Sequence, residues 1–342
     1  MNNCPKCGVK MTHDKNFCIV CGYYANKPVV ETRPSIYRKK INKWVFVGII
    51  VFIILLLFSI NIYKDYKVRS YITPVNELVM NVNSESYVND LYISDEHVYK
   101  YLLDNKEKEI YRLFLNKIKN FEKSVELELE GFNSFYFSSQ YVIDISNAIF
   151  MDHPELIHYS YISISEINQN HNKLKVDFNY VMNNKQYNDA IDEIKTYLDE
   201  IKNDTKDLNE YEKVEYVYNW LGKRNKYDTF KSSMAQSAYS AFNLDLSPVC
   251  SGYARASQII FQNIGINSLL ISGSLDNMSH EWNFVMIDNK YYYYDVTQSS
   301  TQNKPIKNDI SYCGFLFKDH SGYKIHNKEI VPKANGRKYI QK

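Results

Sequence analysis

Three side chains late in the sequence could together carry out nucleophilic chemistry on a carbonyl. Cys250 lies in SPVCSGYARASQIIFQNIGI, two residues after Pro248. A helix can run from Cys250 or Ser251 to Asn263, with Gly265 as its stop. The sulfur then sits at a helix N-terminus, where the positive end of the dipole favours the thiolate. The small neighbours Ser251, Gly252 and Ala254 leave room for other backbone to approach. His280 and Asp295 follow in SHEWNFVMIDNKYYYYDVTQ. Two apolar runs flank Asp288-Asn289, a pair suited to a two-residue hairpin turn. With that turn Ile287 faces Lys290, and Asp295 falls opposite Trp282. Asp295 then becomes a diagonal, same-face neighbour of His280, and a slip of one residue would send it to the other face. In this reading Cys250 is the nucleophile, and His280 takes its proton and returns it to the leaving amine. Asp295 fixes the imidazole tautomer and supports the imidazolium. The backbone N–H of Cys250 is one natural oxyanion donor. Cys313, in SYCGFLF, reads as a buried residue of a terminal strand; a disulfide between it and Cys250 would extinguish activity.

The other four cysteines suit a metal. Cys4, Cys7, Cys18 and Cys21 form two C-x2-C pairs ten residues apart, each followed by a glycine, Gly8 or Gly22. Two residues between thiolates let one tight turn present both sulfurs to a single ion, and two such knuckles complete a tetrahedral Zn2+ site. So short a segment buries no core, so the metal supplies the folding energy; a closed Cys4 site is structural, not catalytic. Two disulfides are the competing reading, disfavoured by the cytoplasmic placement inferred below. Residues 1–25 are therefore read as a zinc ribbon and residues 26–43, with Pro28 and Pro34, as a basic linker.

Between Trp44 and Ile60 runs WVFVGIIVFIILLLFSI, without a charge or an amide. Extended to Tyr63 the segment would be ~30 Å long as a helix, the thickness of one bilayer core. Residues 44–63 are accordingly read as a single transmembrane helix. A cleaved signal peptide would begin nearer residue 1 and end in small residues. Residues 23–43 carry Lys27, Arg33, Arg38, Lys39, Lys40 and Lys43 against Glu31, and the far flank only Lys64, Lys67 and Arg69 against Asp65. The N-terminus is thus placed in the cytoplasm and residues 64–342 outside, at the cell surface.

The formal net charge is +2, with nine Lys/Arg against two Asp/Glu in residues 1–43 and a net acidic remainder. A nucleic-acid binder would distribute its charge differently, and no nucleic-acid partner is expected. With 45% hydrophobic and 23% charged residues the composition also excludes wholesale disorder and fibrous folds. No acidic loop has calcium-ligand spacing.

The elements that must position the three residues come next. Residues 64–130 are polar and mostly helical in pattern, a stalk or N-terminal subdomain, with KEIYRLFLNKIKNF at near-helical spacing. Ile143 to Phe150 is an apolar helix-like stretch before MDHPEL, where Pro154 marks a boundary and His153 reads as a packing or turn residue, with a ligand or base role as the alternative. Lys173 to Met182 alternates as a strand, and Asn183-Asn184 marks a turn. Helical patterns follow from about Asn188 to Lys202 and from Asn209 to Gly222, with Gly222 as a C-cap. Trp282 packs near the imidazole, Asn283 supports the strand, and Tyr239 either lines the cleft or packs in the core.

The stretches VCSGYA, HEWN and YYYYDVT, in that order, resemble the transglutaminase-like superfamily. EKVEYVYNWLGKRNKYD, SAYSAF and MDHPEL resemble the lead-in to that domain in bacterial cell-surface members. The resemblance covers roughly residues 130–300 and implies an α+β, papain-like core, a cysteine-bearing helix packed on an antiparallel sheet within residues 131–342. It also carries Cys250, His280 and Asp295 into catalytic roles. Together with the expected span at 44–63, it implies a membrane-anchored thiol acyltransferase or hydrolase acting on amides of surface proteins or cell-wall peptides through a thioester. The alternative is a catalytically inactive module of the same fold that binds wall or protein ligands.

Overall fold

Why each element forms is visible in its ends. Asp104 opens α2 (Asn105–Lys119) with a capping box closed by Glu107, after a short α1 (His97–Tyr101). Ser134 caps α3 (Phe135–Asp152), which stops ahead of Pro154. The computed structural model describes residues 91–129, 131–132, 134–168, 173–230, 232–300, 314–317 and 322–340. The expected zinc ribbon (Cys4, Cys7, Cys18, Cys21), the expected span 44–63 and Cys313 lie outside the described residues. Among the described residues no helix is long and apolar enough to cross a membrane.

A three-stranded antiparallel sheet, ordered β1-β3-β2, is built from β1 (Ser124–Glu128), β2 (Tyr159–Glu166) and β3 (Lys173–Tyr180). The alternation expected in β3 is present: Leu174, Val176 and Phe178 are buried. They share one core with Tyr111, Phe114 and Ile118 of α2 and with Val142, Ile145 and Ile149 of α3.

Two helices then lead to the second layer. Asn183 is not a hairpin turn but the N-cap of α4 (Asn184–Thr205), reciprocated by Gln186, so this helix starts ahead of Asn188. Asn209 and Glu212 open α5 (Glu210–Arg224) in the same way. Gly222 does not end α5. It is buried inside the last turn, and Arg224 donates to the Phe242 carbonyl of α6 (Tyr239–Phe242). Asn225, with extended backbone, is the actual cap. The helix bearing Cys250, α7 (Cys250–Asn263), is buried along most of its length. Gly265, at φ 74°, provides the left-handed turn after it.

The second sheet is antiparallel and ordered β6-β5-β4-β7. Its strands are β4 (Ser268–Leu275), β5 (Met278–Ile287), β6 (Lys290–Tyr294) and β7 (Tyr323–Ile325), with the short α8 (Thr297–Ser300) after β6. One face packs on α7: Val285, Ile287, Tyr292 and Tyr294 join Tyr253, Ile259, Ile260 and Phe261. The other face holds a smaller cluster of Ile271, Trp282, Phe284, Tyr293 and Tyr323. The expected α+β core, a buried helix packed on an antiparallel sheet, is therefore what the described residues form.

Candidate active site

The β5–β6 hairpin sets the site. Asp288 and Asn289 both take positive φ, 51° and 58°, as a two-residue turn of matching twist requires. Ile287 pairs with Lys290 and Asn283 with Tyr294, the register anticipated above. Asp295 then falls just past the end of β6, and its Oδ2 lies 2.7 Å from His280 Nε2. Both side chains are buried, Asp295 almost completely.

Asp295 is surrounded by donors. Tyr323 donates its hydroxyl to Oδ2 at 2.6 Å, the backbone N–H of Thr297 donates to Oδ1 at 3.1 Å, and Gln298 reaches Oδ2 at 3.4 Å. Burial pushes the Asp295 carboxyl up, but the His280, Tyr323 and Thr297 donors outweigh it, and the net displacement is below the ordinary value. An ionised carboxylate only accepts, so the proton of this pair sits on His280 Nε2, which leaves Nδ1 for the thiol.

Burial pulls the His280 imidazolium down. Side-chain hydrogen bonding and charge from Asp295 and Cys250 outweigh that effect and raise it above the usual imidazole range. Cys250 is half-buried, free of disulfide bonding, and the first residue of α7. Around its helix start the chain is pinned twice. Val249 N–H donates to the Ala235 carbonyl, and Asp228 N–H to the Pro248 carbonyl. Gly252 is required there: a Cβ would lie 2.5 Å from the Ala235 carbonyl oxygen and 2.7 Å from Ser240 Oγ. The arrangement can hold a thiolate beside an imidazolium backed by a carboxylate.

The neighbours take different places. Trp282 stacks on the imidazole, with ring centroids 5.9 Å apart at 22°. Asn283 does more than support its strand: its amide donates to the Ala254 carbonyl and to Gln258, fastening α7 to β5. Tyr239 hydrogen-bonds Glu193 of α4 and Asn243, a packing role outside the site. His153 is buried against Glu155, 2.7 Å from Nδ1 to Oε1, beside an Asp152 that caps α1. Sequence reasoning missed Tyr323, whose three-residue strand has no pattern of its own, and Tyr227. Burial raises the Tyr227 phenol, and the charges of Cys250 and Asp295 push the same way. Its place in NKYD, before the Cys250 loop, was the signal that could have found it. Among the described residues no group of three His, Cys, Asp or Glu side chains is placed to hold a metal ion.

Residues 195–296 match the family model of the transglutaminase-like superfamily, and that stretch contains Cys250, His280 and Asp295. No curated protein matches the chain. Among solved structures it is similar to a candidate cysteine protease from Cytophaga hutchinsonii, at 12% identity and TM-score 0.28, over 41% of this chain and 62% of that one. It is also similar to a structure described as a TGase, at 14% identity and TM-score 0.31, over 47% and 48% of the two chains. The chain spans less than two thirds of the length of either.

Proposed function

We propose that this chain is a cysteine-dependent acyl-transfer enzyme acting on amides. The observation that carries the reading is the short contact between His280 Nε2 and Asp295 Oδ2, on a ring that also feels Cys250. Cys250 Sγ attacks the amide carbonyl and forms a C–S bond. The proton taken up by His280 passes to the departing nitrogen, the C–N bond breaks, and a thioester remains. A second amine, or water, then attacks the thioester. Its proton goes to His280, and Cys250 is released as a thiolate beside the imidazolium. The amine route gives a cross-link and the water route deamidation or peptide cleavage. The first half-reaction is common to both.

The setting proposed for this chemistry is the outer face of a membrane, with 44–63 as the anchor and surface proteins or cell-wall peptides as substrates. The two C-x2-C pairs would hold one structural Zn2+ on the cytoplasmic side. Metal analysis of the full chain tests that part: one zinc per chain is expected, lost with Cys4→Ser.

The catalytic reading is tested by alkylating Cys250 across pH in the full chain, in His280→Ala, and in Cys250→Ala as the blank. Rapid labelling below pH 7 that disappears with His280→Ala supports it. Labelling confined to the region of a free thiol, ~8.5, and indifferent to His280, overturns it in favour of a binding module.

A further inference from the structure

We propose that Tyr323 is a positioning residue of this site, setting through one shared hydrogen bond how tightly Asp295 holds the His280 ring. The inference takes its catalytic consequence from the acyl-transfer reading, but its geometry stands without it. Tyr323 opens β7 and pairs with Leu275 of β4, so the sheet fixes its backbone. Its ring is buried, edge-on to Trp282 at 5.1 Å, tilted against Phe317 at 4.9 Å and edge-on to His280 at 6.0 Å. Those contacts aim the hydroxyl at Asp295 Oδ2, 2.6 Å away.

A buried tyrosine needs an acceptor, and a backbone carbonyl would serve packing equally well. Here the acceptor is the one oxygen already committed to His280, at 2.7 Å, while Oδ1 takes the Thr297 N–H. Gln298 Nε2 lies farther off, at 3.4 Å, so the two short bonds to this oxygen are those of His280 and Tyr323, and a carboxylate oxygen shared between donors is a weaker base toward each. The Tyr323 hydroxyl therefore does two things. It stops the carboxylate rotating away from the ring, and it moderates the pull on the imidazolium so that the proton can still pass to a leaving amine. Burial, then the charge and hydrogen bond of Asp295, hold the phenol far above its ordinary range, so it stays a donor.

The test is ring 15N NMR of His280 in the full chain, in a Cys250→Ala background that removes the coupled thiol. Tyr323→Phe keeps the ring packing and removes only the O–H. The His280 midpoint is expected to rise by about half to one unit. Replacing Tyr323 with 3-fluorotyrosine, a stronger donor, is expected to lower it. Thermal melts of both variants check the fold. Opposite shifts in the two variants support the proposal. No shift in either, or shifts of the same sign in both, overturn it, the latter as a general packing effect. If His280→Ala leaves Cys250 labelling unchanged, the acyl-transfer reading fails, and the NMR comparison still decides the role of Tyr323.

Discussion

Replacing Asp295 by asparagine separates charge from shape at the least exposed point of the site. Every neighbour of the carboxylate is a donor: His280 Nε2 and the Tyr323 hydroxyl on Oδ2, the Thr297 N–H on Oδ1. An asparagine has one oxygen and one NH2, so either orientation sets a donor against a donor. That costs about 1–3 kcal/mol of stability. If the amide nitrogen faces His280, the ring relieves the conflict by accepting at Nε2. Its proton then moves to Nδ1, the side needed to take one from Cys250. The lost charge matters as well. A hydrogen bond to a charged group contributes about 1.5–3 kcal/mol, which at about 1.4 kcal/mol per unit lowers the His280 midpoint by about one to two units. The His280-linked step in the pH profile of Cys250 alkylation should therefore move down by about one to two pH units in Asp295→Asn. The assay is the pH–rate profile for the Cys250-containing peptide, read by mass spectrometry on the full chain. A profile that superimposes on wild type, with an unchanged unfolding midpoint, would refute the donor-surrounded carboxylate as the organiser of the site.

Three further expectations rest on the same geometry. The pH dependence of stability has a defined sign. His280 is raised, so its contribution is complete below its unfolded value of 6.5 and is lost as pH climbs through the folded value. Asp295 is lowered, so its contribution is complete above 3.8 and lost as pH falls. In urea unfolding, the gap between wild type and His280→Ala should be widest between these limits; a gap that widens toward alkaline pH contradicts the assignment. Gly252→Ala should cost about 1–3 kcal/mol, because the new methyl meets the Ala235 carbonyl and Ser240, and should slow Cys250 labelling as the helix start shifts; an unaltered melting temperature argues against that close approach. Asp152→Ala removes the acceptor for the Val98 and Tyr99 amides and for the Tyr111 hydroxyl. A loss of about 2–4 kcal/mol is expected in denaturant titration, with Cys250 labelling at neutral pH unchanged; parallel loss of labelling would tie α1 to the site.

The site was legible where chemistry and local geometry coincide. Cys250 at a helix start followed from Pro248, the small residues and Gly265, all within one helix length. The contact between His280 and Asp295 followed from a two-residue turn and the period of a strand. Tyr323 was not legible because it reaches Asp295 through pairing of β7 with β4, a contact between distant segments that no local pattern encodes. Helix ends were read less well for a local reason. Gly222 has the residue type of a terminator, but α5 is carried past it by burial of its last turn and by Arg224 bonding Phe242. Likewise α3 begins at its Ser134 cap, ahead of the Ile143 to Phe150 stretch that announced it.

The division of labour on β5 explains why one strand can assemble the whole site. Its even positions carry the reacting side: His280 meets Asp295 and feels Cys250 at the start of α7, Trp282 stacks beside it, and Phe284 continues the small cluster. Its odd positions face α7. Glu281 pairs with Arg255 at 3.5 Å, Asn283 bonds the Ala254 carbonyl, and Val285 and Ile287 enter the large core. The residues that place the imidazole thus alternate with the residues that place the cysteine-bearing helix. Arg255 is itself held over Phe150 of α3 at 4.3 Å, which ties α7 to the first core as well. Because the side-chain period of a strand is two, a slip of one residue would break both relations together. The tight Asp288-Asn289 turn guards against this: the Asp288 N–H is held by Glu210, and its carboxylate accepts from Lys338 and Tyr339. The position of Cys250 relative to His280 is therefore a property of strand register, fixed on both faces of β5 at once.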